Sequence, residues 1–163
     1  ENFAPGDTLE QPSTTHLSIV DADGNAVSLT SSIENAFGSR VMVRGFLLNN
    51  QLTDFAFEPE VNGRPVANRV EPGKRPRSSM SPTIVLNQNG ALYQVVGSPG
   101  GSRINGYVAQ TGAATVDLAD ALDAVGHTVN IGDLISGPHG IVVTPSGLEG
   151  GADPRREGQV RGD

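Results

Sequence analysis

The amino-acid sequence predicts an α+β fold built on an antiparallel sheet. Two strand pairs joined by turn-forming residues point to it, and a later apolar segment at helical spacing supplies the helical part.

Residues 1–13 read as an irregular lead, punctuated by Pro5, Gly6, Gln11 and Pro12. A strand is expected over His16–Asp21, a turn over Ala22-Asp23-Gly24-Asn25, and a returning strand over Ala26–Ser31. This hairpin places Thr14 at the outer end of one strand and Ser32 at the far end of its neighbour. Residues 34–82 are loop-rich, with short apolar pieces at Val41–Val43 and Gly45–Leu48. Four prolines between Glu58 and Ser79 mark a long loop, of the kind that is either functional or disordered. A second strand pair, Thr83–Leu86 and Ala91–Val96, flanks a turn at Asn87-Gln88-Asn89-Gly90. Gly97-Ser98-Pro99-Gly100-Gly101 ends it. Apolar residues at helical spacing predict a helix over Val116–Val125, stopped by Gly126. His139–Thr144 reads as a last strand, and the Gly-, Arg- and Asp-rich tail from Gly150 is expected to fray.

Composition narrows the function classes. Of 163 residues, 36% are hydrophobic but only 4% aromatic, with no Trp. The core must come from Val, Ile, Leu and Ala, and a chain so lean in large apolar groups is expected to use a partner surface. The net charge of -7 argues against nucleic acid, and Lys74, Arg75 and Arg77 are too short a basic cluster to reverse it. Without cysteine there is no disulfide framework, thiol nucleophile or Cys-ligated zinc. No apolar run approaches the roughly 18 residues of a membrane-spanning helix, and no signal-peptide pattern opens the residues given.

Few catalytic options remain. His16, His127 and His139 are not at metal-ligand spacing and read as core or solvated histidines. Neither a Gly-x-Ser-x-Gly elbow nor a phosphate-binding Walker loop is present. What stands out is a set of hydroxyl doublets, Thr14-Thr15, Ser31-Ser32 and Ser78-Ser79, each weak by itself.

In order and spacing they carry a resemblance. Pro12-Ser13-Thr14-Thr15-His16-Leu17-Ser18 is similar to the start of the small subunit of γ-glutamyltranspeptidases. Thr30-Ser31-Ser32-Ile33-Glu34-Asn35-Ala36-Phe37-Gly38, Leu47-Leu48-Asn49-Asn50-Gln51-Leu52-Thr53-Asp54-Phe55, Lys74-Arg75-Pro76-Arg77-Ser78-Ser79-Met80-Ser81-Pro82 and Gly97-Ser98-Pro99-Gly100-Gly101-Ser102-Arg103-Ile104 resemble four further family motifs in the family's order. Ala152-Asp153-Pro154-Arg155-Arg156 resembles, more weakly, the family's C-terminal end.

The resemblance implies an N-terminal-nucleophile (Ntn) hydrolase αββα sandwich, of which this chain is the small-subunit part. Residues 1–13 would end the large-subunit region and residues 14–163 would be the catalytic region. It implies self-cleavage between Ser13 and Thr14, after which Thr14 attacks γ-glutamyl amides such as glutathione and its own α-amine takes the proton. Ser32 would hydrogen-bond the nucleophile, and the N–H groups of Gly100 and Gly101 would form the oxyanion hole. Asp54 would bind the substrate α-amine, with Gln51 as its substrate-binding neighbour. Glu34 would either bind the same ammonium or act as a positioning residue, and Ser78 and Ser79 would bind the α-carboxylate. No cofactor and no metal are implied. The implied partners are the large subunit of the same precursor, with amino-acid or water acceptors, in a periplasmic or extracellular setting. Two departures from the family pattern stand out. Glu34 replaces a familiar Asn, and the stretch around 105–115 looks shortened. A cephalosporin-acylase or poly-γ-glutamate-transpeptidase type of acylase, and a catalytically silent fragment, are the alternatives.

Overall fold

Alternating small polar and branched apolar residues form β1 (Thr14–Val20) and β2 (Ala26–Ser32), which pair as a two-stranded sheet. The computed structural model describes residues 2–6, 14–113, 137–154 and 158–162. Contacts divide the chain into one unit of Glu1–Thr14 with Ser32–Ser79 and another of Thr15–Ser31 with Met80–Asp163.

The expected hairpin turn is present. Asp21 closes it with its carboxylate, which accepts the backbone N–H of Asp23 at 3.0 Å and of Asn25 at 2.8 Å, and the Asn25 amide at 2.8 Å. The Asn25 amide, followed by backbone donors, holds the Asp21 carboxyl below its ordinary range.

This larger unit also holds a four-stranded antiparallel sheet whose strands run in the order β10-β9-β8-β7. It comprises β7 (Thr83–Leu86), β8 (Leu92–Gly97), β9 (His139–Thr144) and β10 (Gly147–Ala152). The turn between β7 and β8 sits where the sequence places it, with the Asn87 side chain accepting the N–H groups of Asn89 and Ala91. Strand β8 is interior, and its Val95 and Val96 are buried. The tail does not begin to fray at Gly150. Residues 147–152 form β10 in continuous register with β9, from Gly147 opposite Thr144 to Ala152 opposite His139. Backbone ladder bonds hold a glycine-rich edge strand that has little side-chain packing of its own.

Helix α1 (Ile104–Ala113) follows a 3-10 turn at Gly101–Arg103. No helix is expected here from the sequence. Asn105 and Gly106 weaken the local propensity, but Ile104 and Tyr107, three apart on one face, are both buried, and α1 packs on β8. Ser81 donates to the Asn105 amide, tying the approach to β7 to the same helix. The helix expected over Val116–Val125, and His127, lie outside the described residues. Of the stretch around 105–115 read as shortened, residues 105–113 belong to α1 and residues 114–115 lie outside.

The smaller unit holds β3 (Met42–Val43) with β4 (Phe46–Leu47), and β5 (Glu60–Val61) with β6 (Arg64–Pro65). Its core is small: Ala4, Ala56 and Val66, with Val61 against them. The lead supplies Ala4, bridged to Val66. The long loop after Glu58 is ordered rather than loose. Glu71 pairs with Arg69 at 2.5 Å and with Lys74 at 2.7 Å, and Lys74 Nζ donates to the Ala67 carbonyl at 2.8 Å. Among the described residues, no helix is long and apolar enough to cross a membrane.

Candidate active site

In the smaller unit, Thr14 opens β1 and Ser32 closes β2, so both hydroxyls belong to the same end of the hairpin. Ser13 lies outside the described residues. The Ser32 hydroxyl accepts the Glu34 N–H at 2.9 Å, fixing the chain where it leaves β2. Glu34 turns the corner at φ 71°, in the left-handed region that β-carbon crowding disfavours.

Gln51–Asp54 forms one 3-10 turn, which presents Gln51 and Asp54 at its two ends. Asn50 fastens that turn to the corner after β2. Its side-chain oxygen accepts the Asn35 N–H at 2.9 Å, and its own N–H donates to the Ile33 carbonyl at 3.3 Å. Thr53 Oγ1 donates back to the Asn50 carbonyl at 2.9 Å. On the other side of the turn, Asn68 Nδ2 donates to the Asp54 carbonyl at 2.6 Å. The Asn68 Oδ1 accepts the N–H of Arg77 at 2.9 Å, one residue before Ser78-Ser79. The unit therefore draws the Ser32–Glu34 corner, the Gln51–Asp54 turn and the Arg77–Ser79 segment together through two asparagine amides.

Neither amide was legible as a strut. Asn50 lies in one of the motif stretches, but its bond to Asn35 spans fifteen residues. Asn68 lies outside every motif singled out above, and its bond to Asp54 spans fourteen. Asparagines in loops carry no spacing signal.

In the larger unit, Gly100 and Gly101 sit where β8 gives way to the 3-10 turn and α1. Both have positive φ, 139° and 60°. A side chain at Gly100 would run into the Tyr107 ring, so the glycine is required twice, by its backbone angle and by close packing. The first N–H groups of a helical segment lack intrahelical acceptors and carry the positive end of its dipole. A pair of glycines there can present donors to an oxyanion. Ser98, wholly buried, donates to the Pro99 carbonyl at 2.6 Å and stiffens the approach.

His16, two residues into the strand that Thr14 opens, is a core histidine. Its Nδ1 is 2.8 Å from Thr30 Oγ1 and its Nε2 is 3.1 Å from Ser18 Oγ. Its ring covers Gly97, where any side chain would overlap it. Burial, and secondarily the neighbouring His139, hold its pKa below the ordinary value. A cleft of about 260 Å³ runs along this edge, lined in part by His16, Ser18, His139, Gln159 and Arg161. Among the described residues, His139 Nε2 is buried without a hydrogen-bond partner.

The family model described as gamma-glutamyltranspeptidase matches residues 2–119. A relative named glutathione hydrolase proenzyme from Pseudomonas aeruginosa is 54% identical over 111 residues, covering 64% of this chain and 19% of its own length. One of the same name from Escherichia coli is 37% identical over 186 residues, covering 90% of this chain and 32% of its own length. The chain thus spans between about a fifth and a third of these relatives. Among solved structures, a γ-glutamyltranspeptidase from Pseudomonas nitroreducens complexed with L-DON superposes with a TM-score of 0.71 at 35% identity. That match covers 91% of this chain and 99% of the other.

Proposed function

Because this chain belongs to the γ-glutamyltranspeptidase family, we propose that it is the catalytic part of a self-cleaving γ-glutamyl transferase and hydrolase whose nucleophile is Thr14. The observation that carries this reading is the joining of three motif segments in one unit. The hydroxyl end of the hairpin, the Gln51–Asp54 turn and the Arg77–Ser79 segment are bound to one another by Asn50 and Asn68. A γ-glutamyl donor needs such a set: a nucleophile for its amide carbon, an anion for its α-ammonium and donors for its α-carboxylate.

The proposed chemistry runs in two stages. In the precursor, Thr14 Oγ attacks the Ser13 carbonyl carbon. The acyl group passes from the Thr14 nitrogen to its oxygen, which frees the α-amine. Water then hydrolyses the ester to release the Ser13 carboxylate and restore the Thr14 hydroxyl. A free α-amine has a pKa of roughly 7.7–8.0, so near neutral pH a useful fraction is unprotonated. That amine then takes the hydroxyl proton as Oγ adds to the donor's γ-carbonyl. Threonine is stiff at χ1, which keeps Oγ on course. Ser32 supports the hydroxyl, and the N–H groups of Gly100 and Gly101 receive the developing oxyanion. The proton goes to the departing amine, leaving a γ-glutamyl ester on Thr14, and water or an amino acid resolves it. Asp54, with Gln51 and Glu34, takes the α-ammonium, and Ser78 and Ser79 take the α-carboxylate.

The reading includes a large-subunit partner from the same precursor, layered as an αββα sandwich. The relatives named proenzymes support it. So does the outer face of the hairpin, where Leu17, Ile19, Val27 and Leu29 are 38% to 52% exposed in this chain. A periplasmic or extracellular location is part of the same reading, and fractionation of expressing cells tests it.

Intact-mass measurement of the full-length precursor tests the core of the proposal. Two fragments meeting at Ser13–Thr14 are expected, with an uncut and inactive Thr14→Ala precursor. Cleavage at another bond, or an active Thr14→Ala protein, rules Thr14 out as the nucleophile.

A further inference from the structure

We propose that Asn68 is a positioning residue that sets the distance between the two halves of the substrate-headgroup site. This rests on the reading of Asp54, Ser78 and Ser79 as headgroup binders.

The Asn68 side chain is engaged on both sides. Its nitrogen donates to the carbonyl of Asp54 at 2.6 Å, and its oxygen accepts from the N–H of Arg77 at 2.9 Å. Its backbone is anchored as well. The Asn68 carbonyl accepts the Ala56 N–H at 2.9 Å, Ala56 bridges to Arg69, and Ala56 and Val66 belong to the buried core of the unit. The residue is therefore a short arm rooted in the core, ending in a donor and an acceptor that grip the two headgroup segments. The primary amide carries both functions on one short planar group. Aspartate would lose the donor to Asp54, and glutamine would push the two segments apart by a methylene.

The ammonium and carboxylate of an α-amino acid leave the same carbon, so their separation is fixed. A site that binds both must hold its own binders at a matching separation. Misplacement by about 1 Å can cost on the order of a hundredfold. A ligand with only one of the two groups can follow whichever half it binds, so it is indifferent to that separation.

This difference supplies a test that simple destabilisation does not mimic. Calorimetry on the processed full-length protein would measure binding of three ligands. L-Glutamate carries both groups, glutarate lacks the ammonium, and 4-aminobutanoate lacks the α-carboxylate. In Asn68→Ala, L-glutamate should weaken about ten- to a hundredfold, while each single-headed ligand changes by less than about threefold. Asn68→Asp, which keeps the acceptor for Arg77 and loses the donor to Asp54, should follow the same pattern. Equal weakening of all three ligands, or unaltered L-glutamate binding, overturns the inference. The measurement needs no turnover, so it is separable from the catalytic reading. A wild-type protein that fails to bind L-glutamate removes the headgroup assignment itself. One that binds it without Thr14-dependent turnover removes only the catalysis.

Discussion

Glu34 occupies a backbone position better suited to another residue. Its φ of 71° crowds the β-carbon of most L residues, whereas asparagine tolerates this region. Glu34→Asn keeps the backbone N–H that donates to Ser32. It should stabilise the protein by about 1 kcal/mol, read as an upward shift in thermal midpoint. A lower midpoint would mean that the glutamate side chain contributes more than its backbone strain costs. In the proposed site, Asp54 is the residue on which recognition of the substrate ammonium would depend most directly. Asp54→Ala in the processed enzyme should raise KM for γ-glutamyl donors by about a hundredfold or more. That corresponds to the ~3 kcal/mol or greater cost of stranding one partner of a desolvated ion pair. Self-cleavage should be little changed. Steady-state kinetics would check this, and a near wild-type kcat/KM removes Asp54 from the ammonium site.

At the scale of elements, the β1–β2 hairpin attaches to the sheet through its polar side. Ser28 Oγ donates to the Val96 carbonyl at 3.1 Å and accepts the Thr83 N–H at 3.0 Å, while the His16 ring lies on Gly97. Gly97 is the register partner of His139. This arrangement has a pH signature. The His16 pKa is lowered from 6.5, first by burial and then by His139, so the unfolded chain takes up the proton before the folded one does. More protons on the unfolded state mean that stability rises with pH. His16 should thus leave stability undiminished above about pH 6.5 and cost stability progressively as pH falls below it. Around it stand the neutral hydroxyls of Ser18 and Thr30, with His139 and Arg161 lining the same cleft, and none of these offsets a proton on the ring. Thermal midpoints between pH 5 and 8 should fall less steeply on the acid side in His16→Gln than in wild type. Parallel curves would show that His16 does not control the loss.

At the scale of the molecule, the proposed reaction calls for a free Thr14 α-amine and a covered hairpin face. Thr14 is preceded by thirteen residues, so its α-amine is held in a peptide bond. The apolar side of the hairpin is largely uncovered. These 163 residues alone should therefore give no Thr14-dependent release of nitroaniline from γ-glutamyl-p-nitroanilide. Activity should require a large-subunit chain and a free Thr14. Steady turnover by the isolated chain would show that both are dispensable. An oxyanion site needs placement within about 0.5 Å, which an incomplete scaffold rarely maintains.

The sequence by itself determined what depends on neighbours in the chain. The hairpin turns at Asp21–Asn25 and Asn87–Gly90, and strand β9 from His139 to Thr144, follow from local alternation and from side chains that bond two to four residues away. The motifs also identified the family, because order and spacing survive without coordinates. Tertiary structure alone decided the rest. Alternation told that Leu17 and Ile19 share a face opposite His16 and Ser18, but not that the polar face would point inward. That choice depends on what Val96, Thr83 and Gly97 offer from distant strands. Helix α1 forms around Gly106 because Ile104 and Tyr107 find β8, and β10 forms from a glycine-rich tail because β9 offers a free edge. The amide of Asn68 acquires its place only when the chain brings Asp54 and Arg77 to either side of it. Hydrogen bonds between residues far apart in sequence leave no periodic trace, since the loop that closes them can have almost any composition.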